Sequence, residues 1–164
     1  MPVARLRTSS RFQHRYLPRL LLYLFVLSYI AYFSWYTINR HETLNSYAAD
    51  LSLIDQPLWN TGPGPGYFME LTWGTRQQTR LAEHFEPILV PLGVMFWLWD
   101  DVRLLLVAQT LALALGALPV FWIARHLFSE QLPAAELVEW SALACALAYL
   151  LYPQLQAANI ADFH

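Results

Sequence analysis

The chain has 164 residues, 57% of them hydrophobic and only 13% charged, with a net charge of −2. Soluble globular domains run at about 45 to 50% apolar and about 25% charged residues, so this is the composition of a polytopic membrane protein. All ten basic residues are Arg, which leaves no amine to serve as a neutral base, and outside the N-terminus they form no stripe, so no nucleic-acid partner is expected.

The first apolar run, Leu20 to Ile38, is uncharged and long enough to cross a hydrocarbon core of about 30 Å as a helix. Arg5, Arg7, Arg11, Arg15 and Arg19 precede it with no acidic residue among them. By the positive-inside rule residues 1–19 form a cytoplasmic arm and the span runs outward. A cleaved signal peptide is the competing reading, but the run exceeds an ordinary signal core and ends in Tyr32, Trp35 and Tyr36 rather than small residues. An uncleaved anchor fits better.

An external loop from about 39 to 103 follows. Within it Leu51, Ile54 and Leu58 recur at helical spacing, predicting a surface helix over Tyr47 to Trp59, and Gly62-Pro-Gly-Pro-Gly66 breaks regular structure after it. The run Ile88 to Trp99 is too short to span, is interrupted by Pro91 and closes on Asp100-Asp101. It reads as an interfacial or re-entrant segment, with Trp97 and Trp99 at headgroup level. Two further spans are predicted at about 104–123 and 140–160, joined by a cytoplasmic link around Ser129 to Glu139. Arg125 and His126 suit the cytoplasmic end of the first; Ala142, Ala144, Ala146 and Ala148 suit close helix approach in the second, and Pro153 marks a kink there. Cys145, the single cysteine, lies in this run and reads as a packing residue. The predicted fold class is all-α: three transmembrane helices with a large external first loop carrying short amphipathic helices, in a multi-pass protein of the cell membrane whose partner is the lipid bilayer.

This topology gathers Asp50, Asp55, Glu70, His84, Glu86, Asp162 and His164 at one face. Loop acids are ordinarily solvated charges, but Asp50 and Asp55 flank an apolar helical stripe and are therefore held by packing. A carboxylate beside a low-dielectric surface has reason for a raised pKa, which suits a general base. His84 has the chemistry to donate to an anionic ligand or bind a metal, and Asp162-Phe163-His164 has metal-ligand residue types at close spacing, but no HExxH or CxxC pattern supports zinc. Gly-rich phosphate loops and the G-x-S-x-G elbow are absent.

Four ordered blocks carry a family resemblance: Asp50-Leu-Ser-Leu-Ile-Asp55-Gln-Pro-Leu-Trp59-Asn60-Thr61, His84-Phe85-Glu86-Pro87-Ile88-Leu89, Gln109 through Gly116 to Pro119, and Asp162-Phe163-His164. The set resembles the family of predicted membrane proteins known as domain of unknown function 2079, which in turn is similar to the GT-C class of polytopic glycosyltransferases. The match runs from about Tyr47 to the C-terminus. Ser52, Pro57 and Glu86 depart from the usual pattern, and Glu86 is left out of the carry-over for that reason. The resemblance implies transfer of a sugar from a polyprenyl-phosphate donor to an acceptor hydroxyl, with Asp50 the first choice as base and Asp55 the second. His84, Trp59, Asp162 and His164 would position the substrate and its phosphate, where a divalent cation is a possible cofactor. Family members carry more spans, so this chain resembles an N-terminal portion. A non-catalytic membrane scaffold or subunit is the alternative from a different class. A transporter is weaker, because the predicted spans hold no charge of the kind that marks an ion pathway.

Overall fold

The computed structural model describes residues 4–46 and 48–161, the side chains of 4–15, 48–50 and 73 excepted. The chain divides into two compact units, one made of the residues up to Phe33 with Thr110–Ala158, the other of Ser34–Gln109 with Asn159 onward.

The first unit is a helix bundle. Helix α1 (Ala4–Glu42) contributes a buried stripe of Pro18, Leu22, Val26, Tyr29 and Phe33, spaced three and four apart so that they share one face. Its segment Tyr16–Glu42 is long and apolar enough to cross a membrane and contains the whole predicted first span. Helices α5 (Arg103–Leu115) and α6 (Ala117–Gln131) make a second such run of 29 residues with a mean hydropathy of 2.2, continuous past Gly116. At 1.5 Å per residue the run is about 43 Å long, more than the hydrocarbon thickness. It therefore extends past the predicted end at Ile123. Helix α7 (Ala135–Leu150) and helix α8 (Pro153–Ile160) form a pair bent by 43°, the break falling just before Pro153. Counted as one span, the pair brings the spans among the described residues to three.

The α6–α7 connection is only Leu132–Ala134, shorter than the predicted link because both helices continue into it. Close approach rests on small residues, as expected, but only Ala142 and Ala146 of the four alanines in α7 are buried; that pair shares the packed face, and Ala144 and Ala148, also four apart, share an exposed one. Helix α7 packs against α6, whose Ala117, Phe121 and Ala124 are likewise buried. Gly116 makes room for Tyr149, whose hydroxyl donates to the Leu113 carbonyl at 3.0 Å; a β-carbon at Gly116 would stand 2.2 Å from that hydroxyl oxygen.

In the second unit, helix α2 (Ala48–Thr61) forms where the apolar spacing predicted it, and Leu51, Ile54 and Leu58 are buried. They meet Leu89, Leu92 and Phe96, from and just beyond helix α4 (Leu89–Met95), in a core completed by Met69 and Leu104–Leu106. Helix α4 has seven residues, about 10 Å of rise. It is too short to span, in keeping with the reading of Ile88 to Trp99, and Trp97 and Leu98 beyond it are exposed. Helix α2 ends on the Gly-Pro repeat: the amides of Gly62, Gly64 and Gly66 donate in turn to the carbonyls of Leu58, Trp59 and Asn60. Proline has no N–H, so the alternation places a donor at every second residue.

The loop departs from all-α at an antiparallel hairpin, β1 (Glu70–Trp73) with β2 (Arg76–Thr79), whose register pairs Trp73 with Arg76. Gly74, at φ 59°, occupies the first turn position that a two-residue hairpin turn reserves for left-handed backbone. A two-stranded ribbon is marginal alone; here Met69 and Leu71 anchor it in the core, and Asn60 and Thr61 of α2 hydrogen-bond the Glu70 carbonyl and the Met69 amide. Arg80 opens the short helix α3 (Arg80–Glu83). It is buried and paired with Glu83 at 3.6 Å and Glu86 at 3.3 Å, which makes it a structural cation.

Candidate functional site

The second unit contains a cleft of about 480 Å³ that draws on four pieces of chain: the end of α1 (His41, Glu42) with Leu44 beyond it, α2 (Asp55, Trp59), the connection Asp100–Val102, and Arg103 at the start of α5. Each piece is held by local chemistry. The last turn of α1 closes through Leu44 N–H to the His41 carbonyl and Asn45 N–H to the Arg40 carbonyl, both at 3.0 Å, the paired bonds of a Schellman ending. Leu44 sits at the left-handed position of that ending, with φ 59°, where glycine is usual.

Asp55 and Trp59 are one turn apart on α2 and so share a face, on one flank of the Leu51/Ile54/Leu58 stripe. The Trp59 ring packs under Gly64, where a β-carbon would approach to 2.7 Å; its other surface is open, leaving the residue 43% exposed. On the opposite wall Asp101 accepts the Arg103 amide at 2.8 Å, a capping bond at the start of α5 that also places a negative charge at a helix N-terminus.

Four carboxylates therefore face one guanidinium. Arg103 pairs with Glu42 and with Asp101, each at 3.2 Å, and the His41 ring lies 3.1 Å from the Ser46 hydroxyl. Among the described residues, the side chains of Asp55 and Asp100 have neither a hydrogen bond nor an ion pair. Burial pushes the Asp55 carboxyl above its ordinary value of 3.8, the negative charges of Asp100 and Asp101 push it further, and His41 opposes them. A half-buried carboxylate with raised proton affinity, no hydrogen-bond partner for its side chain among the described residues and an open indole face one turn away can accept hydrogen bonds from a polyhydroxylated ligand and take up a proton.

The sequence candidates divide accordingly. Asp55 and Trp59 line the cleft. Position 50 is in the first turn of α2, five residues and about 140° from Asp55 around the helix, on the other flank of the apolar stripe; its side chain lies outside the described residues. His84 caps the C-terminus of α3, exposed, and is not among the lining residues. Asp162 and His164 lie outside the described residues; the chain is followed to the end of α8, where Arg40 donates to the Ile160 carbonyl. No group of three His, Cys, Asp or Glu side chains converges as metal ligands among the described residues.

Sequence reasoning did not single out His41, Glu42, Asp100, Asp101 or Arg103 as site residues. The available signal was their position: His41 and Glu42 follow closely on the first apolar run and Asp100 to Arg103 precede the run that begins at Leu104, so both sets stand near predicted span ends. A second cavity of about 490 Å³, in the helix bundle, is lined by Tyr29, Phe33, Leu147 and Leu150 among others and offers no carboxylate.

A family model described as a predicted membrane protein, DUF2079, matches residues 40–164, a stretch that includes every residue lining the acidic cleft. No curated protein and no solved structure matches the chain.

Proposed function

Because the chain belongs to the DUF2079 family of predicted membrane proteins, we propose that its acidic cleft serves a membrane glycosyltransferase of the GT-C type. The donor is a polyprenyl-phosphate sugar and the acceptor a hydroxyl, at the outer face of a membrane whose other side holds the N-terminus. The observation that carries this reading is the Asp55 carboxylate: half-buried, without a hydrogen-bond partner among the described residues, raised in proton affinity and one turn from an open tryptophan face. The likeness of the four sequence blocks to the GT-C class supports it.

In the reaction the acceptor oxygen attacks the anomeric carbon. The bond from that carbon to the phosphate oxygen breaks, its electron pair leaves with the polyprenyl phosphate, and Asp55 takes the acceptor proton. Asp50 remains the other candidate base. The sequence likeness assigns His84, Asp162 and His164 to the phosphate, although His84 does not line the cleft. For the last two, the support is the likeness of the fourth sequence block alone. No step here passes through a divalent cation.

The test is transfer of labelled sugar from polyprenyl-phosphate donors in membranes containing the full-length product of the gene that carries this sequence. Transfer above control membranes supports the reading; no transfer across a panel of donors overturns it and favours the non-catalytic subunit.

A further inference from the structure

The helix bundle holds a second charged cluster that the proposed chemistry does not use. Glu139, near the start of α7, is 2% exposed and sits between two arginines. Arg19 of α1 grips it in bidentate fashion, at 2.6 and 3.0 Å, and Arg125 of α6 donates from Nε at 2.7 Å. Trp122 lies beneath both guanidiniums, 5.3 Å from that of Arg19 and 5.6 Å from that of Arg125. A carboxylate this deeply buried requires one cation. It has two, so the cluster carries an uncompensated positive charge.

Arg125 uses only Nε on Glu139, and neither terminal amino group of its guanidinium has a partner among the described residues. The side chains of Arg19 and Arg125 are partly exposed, at 30% and 38%. Arg19 lies in the first turn of the span that begins at Tyr16, Glu139 in the second turn of α7, and Arg125 within two turns of the end of α6. The ends of membrane-spanning helices lie near the depth at which a bilayer presents phosphates, and an open guanidinium fork beside an amphipathic indole matches a phosphate oxyanion there. We propose that Arg19, Arg125 and Trp122 form a binding site for the phosphate of an anionic phospholipid headgroup, with Arg125 donating to the lipid while Glu139 offsets one of the two guanidinium charges. Removing Arg125 leaves the Arg19–Glu139 pair intact, so the fold survives the test.

The experiment counts lipid retained by the purified full-length protein after release from nanodiscs of phosphatidylcholine containing a minor fraction of phosphatidylglycerol, by native mass spectrometry. Wild type retains phosphatidylglycerol in preference to phosphatidylcholine. Arg125→Gln lowers that retention about fivefold, the weight of one arginine near a charged membrane surface. Glu139→Gln, which adds net positive charge, raises it, and millimolar inorganic phosphate displaces none. Equal retention in Arg125→Gln, reduced retention in Glu139→Gln as well, or displacement by inorganic phosphate each overturns the proposal, the second by showing a helix clamp and the third a site for free anions.

Discussion

At the scale of single residues the account turns on what burial does to Asp55. Its pKa is higher in the fold than in the unfolded chain, so between those two values the folded state binds more protons and stability falls as pH rises. Above the folded value the full cost of holding a charged carboxylate beside Asp100 and Asp101 is present. Asp55→Asn keeps the size of the side chain and removes that cost. The variant should therefore melt at a higher temperature than wild type at neutral pH, with the gap closing as pH falls toward the ordinary carboxylate value. An unchanged or lowered melting temperature at neutral pH would mean that Asp55 is not held against its charge. The sequence permitted the choice of Asp55 and Trp59, because both lie on one side of a helix whose apolar residues are visible. It concealed Asp100 and Asp101, which read as the end of a short apolar run, and the Arg19–Glu139–Arg125 cluster, whose members are up to 120 residues apart and meet only through helix packing.

At the scale of elements, the wall of the cleft at Leu44 is conformationally strained. A side chain in the left-handed region costs about 1–2 kcal/mol relative to glycine, while a glycine there loses about 0.5–1 kcal/mol more backbone entropy on folding. Leu44 is almost fully exposed, so replacing it forfeits no core contact. Leu44→Gly should gain about 0.5–1 kcal/mol of stability, measured by thermal unfolding in detergent; destabilisation would show that the Leu44 side chain is anchored. Helix α2 and the short apolar run were legible because three buried residues at helical spacing and a Pro-interrupted run each leave few alternatives. The hairpin Glu70–Thr79 was not, although Gly74 stood in the sequence as a turn signal. Its strands have four residues each, and Leu71 and the adjoining Met69 are too few to show a two-residue period. Arg80 was equally opaque: its burial depends on Glu83 and Glu86 folding back onto it.

At the scale of the whole molecule, the apolar helices and family membership make the chain a membrane protein. Arg19 and Arg125 approach the same carboxylate, and the proposed orientation, read from the positive-inside rule, puts both on the cytoplasmic side. A cysteine placed at Ser46 in a Cys145→Ser background should react with a membrane-impermeant thiol reagent added outside the cell. Reaction only after the cytoplasmic side is opened would reverse the orientation. The central claim is that Asp55 accepts the acceptor proton, and it is tested most directly by the rate of sugar transfer from a polyprenyl-phosphate donor by the full-length protein carrying Asp55→Asn. The account predicts a loss of about 10²- to 10⁴-fold, the usual weight of a general base, with membrane insertion unchanged because the apolar spans are untouched. Transfer at the wild-type rate by Asp55→Asn, with Asp50→Asn alone inactive, would move the base to Asp50, and full activity in both variants would contradict the assignment altogether.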